Sequence, residues 1–235
     1  MRHRAAVAAK LLAICGALAL GGLGCGTARP DYVGGRKGEP PDLLVRSFLV
    51  EGKDVEGYGY YAYLVFTENS EATRARREAA VHAFINLFTD VRYLEPDRDR
   101  PARMAVLYAP VTQDWRGPDA GAEGVLQAYD YLFAQRVAVQ LARHRSIPPV
   151  FLLASPAPVQ KALSAGVADL WVVELKGDRQ AIESTLTGFR DRLLSPDKPS
   201  SGREMLERVL GFFDSVGGFV IAIATLGGGT SPSKP

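Results

Sequence analysis

Apolar residues along this chain recur at two periods, and the switches between them divide it into elements. Leu43 to Val50 and Tyr58 to Phe66 are dense in β-branched, leucine and aromatic residues, with the polar stretch Glu51 to Gly57 between them. That layout predicts two strands paired with each other through a short connection. In the second run Tyr58, Tyr60, Ala62, Leu64 and Phe66 alternate with Gly59, Tyr61, Tyr63 and Val65, and neither series is polar. A strand of this kind is covered on both faces and lies inside a sheet. Tyr58 and Tyr60 then point opposite to Tyr61 and Tyr63, so the cluster reads as packing rather than as one stacking platform for a sugar or peptide.

Beyond Ser70, a suitable N-cap, Val81, Phe84, Ile85 and Phe88 fall at the spacing of one buried helical face. Arg74, Arg76 and Arg77 share that helix with Glu71 and Glu78, which predicts a solvated face. Met104 to Tyr108 reads as a strand ended by Pro110, and a helix follows from about Ala122 to Arg143, closed by Pro148-Pro149. Val150 to Leu153 is a short strand. The spacing of Val167, Leu170, Trp171 and Leu175 favours a helix over a buried strand, and 178–194 is helical as well. The order implies an α/β fold, a mixed sheet of about four strands covered by helices, in one domain over 43–202.

Arg203 to about Leu226 reads as a long C-terminal helix, within a region 203–235 that ends in a polar tail. Val209 to Gly229 carries one charge, Asp214, and is nearly long enough to cross a bilayer. Asp214 would cost about 2.5–3.5 kcal/mol near the membrane centre, and Arg203 and Arg208 lie on the wrong side of such a span for an exported chain. The segment is therefore expected to pack in the core or against a protein partner.

The N-terminus has a different pattern. Arg2, His3, Arg4 and Lys10 precede the apolar run Leu11 to Leu20, and Gly21-Gly22-Leu23-Gly24-Cys25 follows. A basic start, a hydrophobic stretch too short to span comfortably and a small-residue exit make a secretory signal peptide, residues 1–24. The cysteine after Gly24 makes the segment resemble a bacterial lipoprotein signal, although Gly22 stands where that pattern usually has leucine. The resemblance implies cleavage before Cys25, acylation of its thiol by palmitate-type chains, and anchoring to a membrane of the cell envelope on the periplasmic side. Residues 25–42, rich in Gly, Pro and charge, read as a flexible tether.

Removing residues 1–24 changes the composition argument, because the formal charge drops from +2 to −1. No basic field is left to bind nucleic acid. Cys15 leaves with the signal, so no intrachain disulfide is available, and the mature chain keeps only His82 and His144. A His/Cys metal site and a Cys-His nucleophile pair are thereby disfavoured. With no Walker loop, dinucleotide glycine fingerprint or calcium loop, the sequence implies no cofactor.

On the helix expected from Ala122, Val125, Leu126, Tyr129, Leu132, Phe133 and Val139 form a broad apolar face with Arg136 and Gln140 inside it. A guanidinium there must be paired or reach a pocket, so Arg136, Gln140 and Tyr129 are a candidate site for an anionic ligand. The alternative is that Arg136 snorkels to the rim. Ser155 follows a strand but lacks the G-x-S-x-G surroundings of a nucleophile elbow. His82 lies off the buried stripe, and His144 stands between Arg143 and Arg145 at a helix end.

These features favour a non-enzymatic envelope lipoprotein that binds or assembles with an envelope component. The competing expectation is an envelope hydrolase or transferase using carboxylates such as Asp114, Asp119 or Glu123, which leave no motif. Gly57-Tyr58-Gly59-Tyr60-Tyr61-Ala62-Tyr63-Leu64 before a charged helix, with Tyr129-Asp130-Tyr131 opening a later one, resembles a group of bacterial envelope proteins of unassigned activity. That resemblance spans about residues 55–155 and implies the compartment alone.

Overall fold

The computed structural model describes residues 43–53, 56–94, 104–165, 167–194, 211–212 and 215–224. The expected signal, Cys25 and the tether lie outside these residues. The described residues form an α/β domain built on seven strands: β1 (Leu43–Val50), β2 (Tyr60–Phe66), β3 (Thr89–Asp90), β4 (Met104–Val111), β5 (Val150–Ser155), β6 (Val167–Glu174) and β7 (Phe219–Ala224). Their order across the sheet is β3-β1-β4-β2-β5-β6-β7. β3, β1, β4 and β2 run parallel, whereas β5, β6 and β7 each run antiparallel to the neighbour before them. The sheet is mixed, as the alternation of elements implies, but larger than the expected four strands.

Five helices accompany it among the described residues: α1 (Glu71–Leu87), α2 (Gly121–Gln127), α3 (Tyr131–Ala142), α4 (Val159–Ala165) and α5 (Arg179–Leu193). Register assigns them to faces. Phe48 lies beside Ala109, and its ring meets Phe84 of α1 edge-on at 5.5 Å. Tyr63 lies beside Tyr108, one residue out of phase and so on the opposite face, where its hydroxyl accepts the Val159 N–H that opens α4 at 3.0 Å. α5 packs alongside α1. Covered on two sides, β2 is buried along its whole length, as its doubly apolar pattern requires.

The expected β1–β2 pairing does not form. Both strands pair with β4, which lies between them: Leu43–Val50 and Tyr60–Tyr63 each lay a mostly apolar ladder against Met104–Val111, with Arg46 and Ser47 the polar exceptions in β1. The chain must therefore return from the level of Val111, opposite Val50, to that of Ala105, opposite Tyr60, before β2 begins. Consecutive parallel strands of one sheet usually need a crossover of a dozen residues or more, and this one is shorter. It is pinned at both ends: Glu51 N–H donates to Val111 O at 3.1 Å and Gly59 N–H to Met104 O at 2.9 Å. Between them Gly52, at φ +67°, passes so close to α3 that a Cβ there would sit 2.8 Å from Cδ2 of Phe133.

Three further expectations are corrected. Val167–Glu174 is a strand rather than a helix, because the apolar run Leu170–Val173 at its centre fits a position between β5 and β7. Phe219–Ala224 is an edge strand, so the expected helix to Leu226 does not extend that far; residues 203–210 lie outside the described part. Among the described residues no helix is long and apolar enough to cross a membrane. Lastly, β4 continues past Pro110, which is tolerated because β2 pairs with β4 only as far as Tyr108.

Candidate functional site

The helix expected from Ala122 to Arg143 is two helices, α2 and α3, and the break between them decides where the candidate ligand residues go. Ala128 to Asp130 run beside the end of β4, where β2 has already departed: Thr112 N–H donates to Ala128 O at 2.8 Å and Asp130 N–H to Pro110 O at 3.1 Å. Asp130 then caps α3, its Oδ1 accepting the Phe133 N–H at 2.9 Å. Helical phase is lost at Tyr129. Residues before and after it no longer share one face.

Tyr129 is buried, and its hydroxyl is occupied. It donates to Leu64 O at 2.9 Å and accepts from Phe66 N–H at 2.8 Å. Burial holds this phenol well above its ordinary pKa, with only a partial counter-effect from the Phe66 bond, so it stays a donor. In α3 the buried residues are Phe133, Ala134, Val137 and Leu141. Arg136 and Gln140 are solvent-exposed instead, beside Leu132 and Val139, which are 72% and 61% exposed. Arg136 reaches back to its own helix, Nε to Leu132 O at 3.3 Å. Tyr129, Arg136 and Gln140 therefore do not converge on a cleft.

Two arginines, Arg46 and Arg77, are buried. Arg77, expected on a solvated face, is buried among partners: Nε donates to Thr73 Oγ1 at 3.3 Å, Nη2 to Ser70 O at 3.2 Å and Nη1 to the Tyr131 hydroxyl. It staples the start of α1 to the start of α3. Ser70 holds the N-cap position as expected, but its hydroxyl meets Glu68 and Thr73 rather than the helix amides.

Arg46, the one charge within β1, lies 5.9 Å from the Phe48 ring centroid and 5.8 Å from that of Phe84. Its Nη2 stands 3.7 Å from Oδ2 of Asp90, while Nε and Nη1 are buried without a hydrogen-bond partner. The two rings explain how an incompletely bonded guanidinium is tolerated there. Asp90 also accepts from Arg92 Nε and from the Arg92 backbone N–H, both at 3.0 Å. Burial opposes ionisation of Asp90, but these bonds and the charges of Arg92 and Arg46 together outweigh it, and the carboxyl lies below its ordinary pKa. The charge within the apolar run Leu43–Val50 was the available signal for this pair.

The other chemistry-bearing residues stand apart. Ser155 closes a small turn, donating to Ala157 O at 2.6 Å and accepting the Ala157 N–H. His82 and His144 are exposed, as are Asp114, Asp119 and Glu123, and the Glu123 carboxylate accepts from Gln127 at 3.1 Å. An open depression of about 550 Å³ runs along α5, lined by Ser184, Gly188, Asp191, Arg192, Phe212 and Val216, but Asp191 is already paired with Arg190 at 2.9 Å. Among the described residues no group of three or more His, Cys, Asp or Glu side chains could hold a metal.

What remains is a surface. The outermost line of α3, Leu132, Arg136, Val139 and Arg143, alternates apolar and cationic side chains, and exposed His144 and Arg145 follow it. No family model, no curated protein and no solved structure matches the chain.

Proposed function

We propose that this chain is an exported protein of the bacterial cell envelope, anchored by acyl chains on Cys25, whose α/β domain binds or assembles with an envelope component on the periplasmic side and performs no reaction. The observation that carries this reading is the N-terminal layout: basic residues 2–10, the apolar run Leu11 to Leu20, and Gly24 before Cys25. Two or more acyl chains on one residue would supply the multiple hydrophobic signals that stable anchoring requires. The binding role is favoured because the polar groups with the most specific placement, Tyr129, Arg77 and Asp90, are engaged in holding the fold.

The protein partner expected at the C-terminal segment falls, in this reading, to the outer edge of β7. An apolar edge strand, Phe-Val-Ile-Ala-Ile-Ala, offers backbone groups to an added strand. Fractionation of cells expressing the wild type and Cys25→Ser tests the anchor. The wild type is expected in the membrane fraction and resistant to extraction by salt, and the variant is expected to lose acyl incorporation. Equal acyl labelling of both proteins would refute anchoring through Cys25.

A further inference from the structure

Between Asp130 and Asp169 the chain contains no Asp or Glu, although it has 26 such residues in all. The exposed crest of α3 lies within this acid-free stretch. Among the described residues no carboxylate stands within ion-pair distance of Arg136 or Arg143, in contrast to Arg74, Arg92 and Arg179, each of which has a carboxylate partner. Leu132 and Val139 alternate with Arg136 and Arg143 along the crest, and the burial of Phe133, Ala134, Val137 and Leu141 on the opposite side holds the helix in that orientation. A solvated helix face would ordinarily intersperse both signs of charge and carry few large apolar groups.

We infer that this crest, Leu132, Arg136, Val139 and Arg143, docks the domain on an anionic phospholipid surface. Arginine and leucine or valine on one exposed face is the chemistry of a helix lying at the headgroup level: the guanidinium groups meet lipid phosphates and the aliphatic groups enter the acyl boundary. With residues 1–24 removed the chain is net negative, so attraction to such a surface must come from a local patch, and the patch would set the orientation. Residues 26–42 can span at most about 60 Å, which bounds how far a domain anchored at Cys25 can stand from the bilayer. The inference rests on the proposed anchor only for this proximity.

The test uses the membrane-extracted mature protein carrying Val139→Cys, with an environment-sensitive fluorophore on that thiol, reconstituted on vesicles of phosphatidylcholine alone or mixed with phosphatidylglycerol. Retention on neutral vesicles reports the acyl anchor. A blue shift of the fluorophore that needs phosphatidylglycerol reports the crest, so the two can fail separately.

The expected result is a blue shift on the mixed vesicles alone, reversed by added salt as screening shortens the reach of the charges. Each guanidinium is worth about a fivefold change in the docked population near an anionic surface, so Arg136→Gln with Arg143→Gln should lower the docked-to-free ratio about 25-fold. Both positions are exposed, and an unchanged melting temperature would show that the fold is retained. No blue shift on the mixed vesicles, or an equal shift on neutral ones, would overturn the inference. So would a shift that appears without vesicles and grows with protein concentration, which would assign the crest to a second copy of the chain.

Discussion

The Tyr129 hydroxyl accepts the backbone N–H of Phe66 at 2.8 Å while the two rings stack at 4.5 Å between centroids. The same hydroxyl donates to Leu64 O, so one side chain closes the gap left where β2 parts from β4. Tyr129→Phe keeps the ring but leaves a buried N–H and a buried C=O short of partners. Equilibrium unfolding in urea should show a loss of about 2 kcal/mol, with the m-value unchanged.

Asp90 holds Arg46 in place from the edge of the sheet. Its carboxyl is stabilised in the charged form by folding, so its contribution is present above the unfolded carboxyl value of about 4 and is lost as pH falls through the lower folded value. The wild type should therefore lose stability steeply below about pH 4, and Asp90→Asn should lose less over that interval. At neutral pH Asp90→Ala strands Arg46 between its rings and should cost about 3 kcal/mol. Thermal melts across pH measure both effects, and an unchanged acid limb in Asp90→Asn would contradict this assignment.

Gly52 is the point at which the β1–β2 crossover slips past α3. Its backbone O accepts Gln160 Nε2 at 2.9 Å, and its φ of +67° favours glycine. Gly52→Ala combines a strained backbone with a methyl group against Phe133. Urea unfolding should record a destabilisation of about 1–3 kcal/mol. Gly57→Ala has the same sign of φ but nothing within 4 Å of the new methyl, and should cost less.

Local pattern made most of the strands and helices legible, and pairing was where it failed. β1, β2, α1 and α5 follow the runs that predict them, because each has a period of its own. The insertion of β4 between β1 and β2 depends on which apolar ladders match across a long stretch of chain, and no window of sequence records that. The helix break at Tyr129 had a local sign, Asp130 as a cap, but the apolar period masked it. Arg136 was misplaced for that reason: extending the phase of Val125 and Leu126 across the break turns the exposed face of α3 inward. At Phe219–Ala224 uniform apolarity fits a helix or a strand equally well, and the free edge of β6 decides between them.

The proposed anchoring at Cys25 carries the proposed role and supplies the proximity for the inferred docking of α3. Its most direct test is the intact mass and N-terminal analysis of the protein extracted from the membrane fraction of its native cell. A mature chain lacking residues 1–24 and carrying the added mass of acyl groups on Cys25 is the predicted result. An unmodified Cys25 on a freely soluble mature chain would contradict the anchor, and a full-length precursor free in the cytosol would contradict export as well.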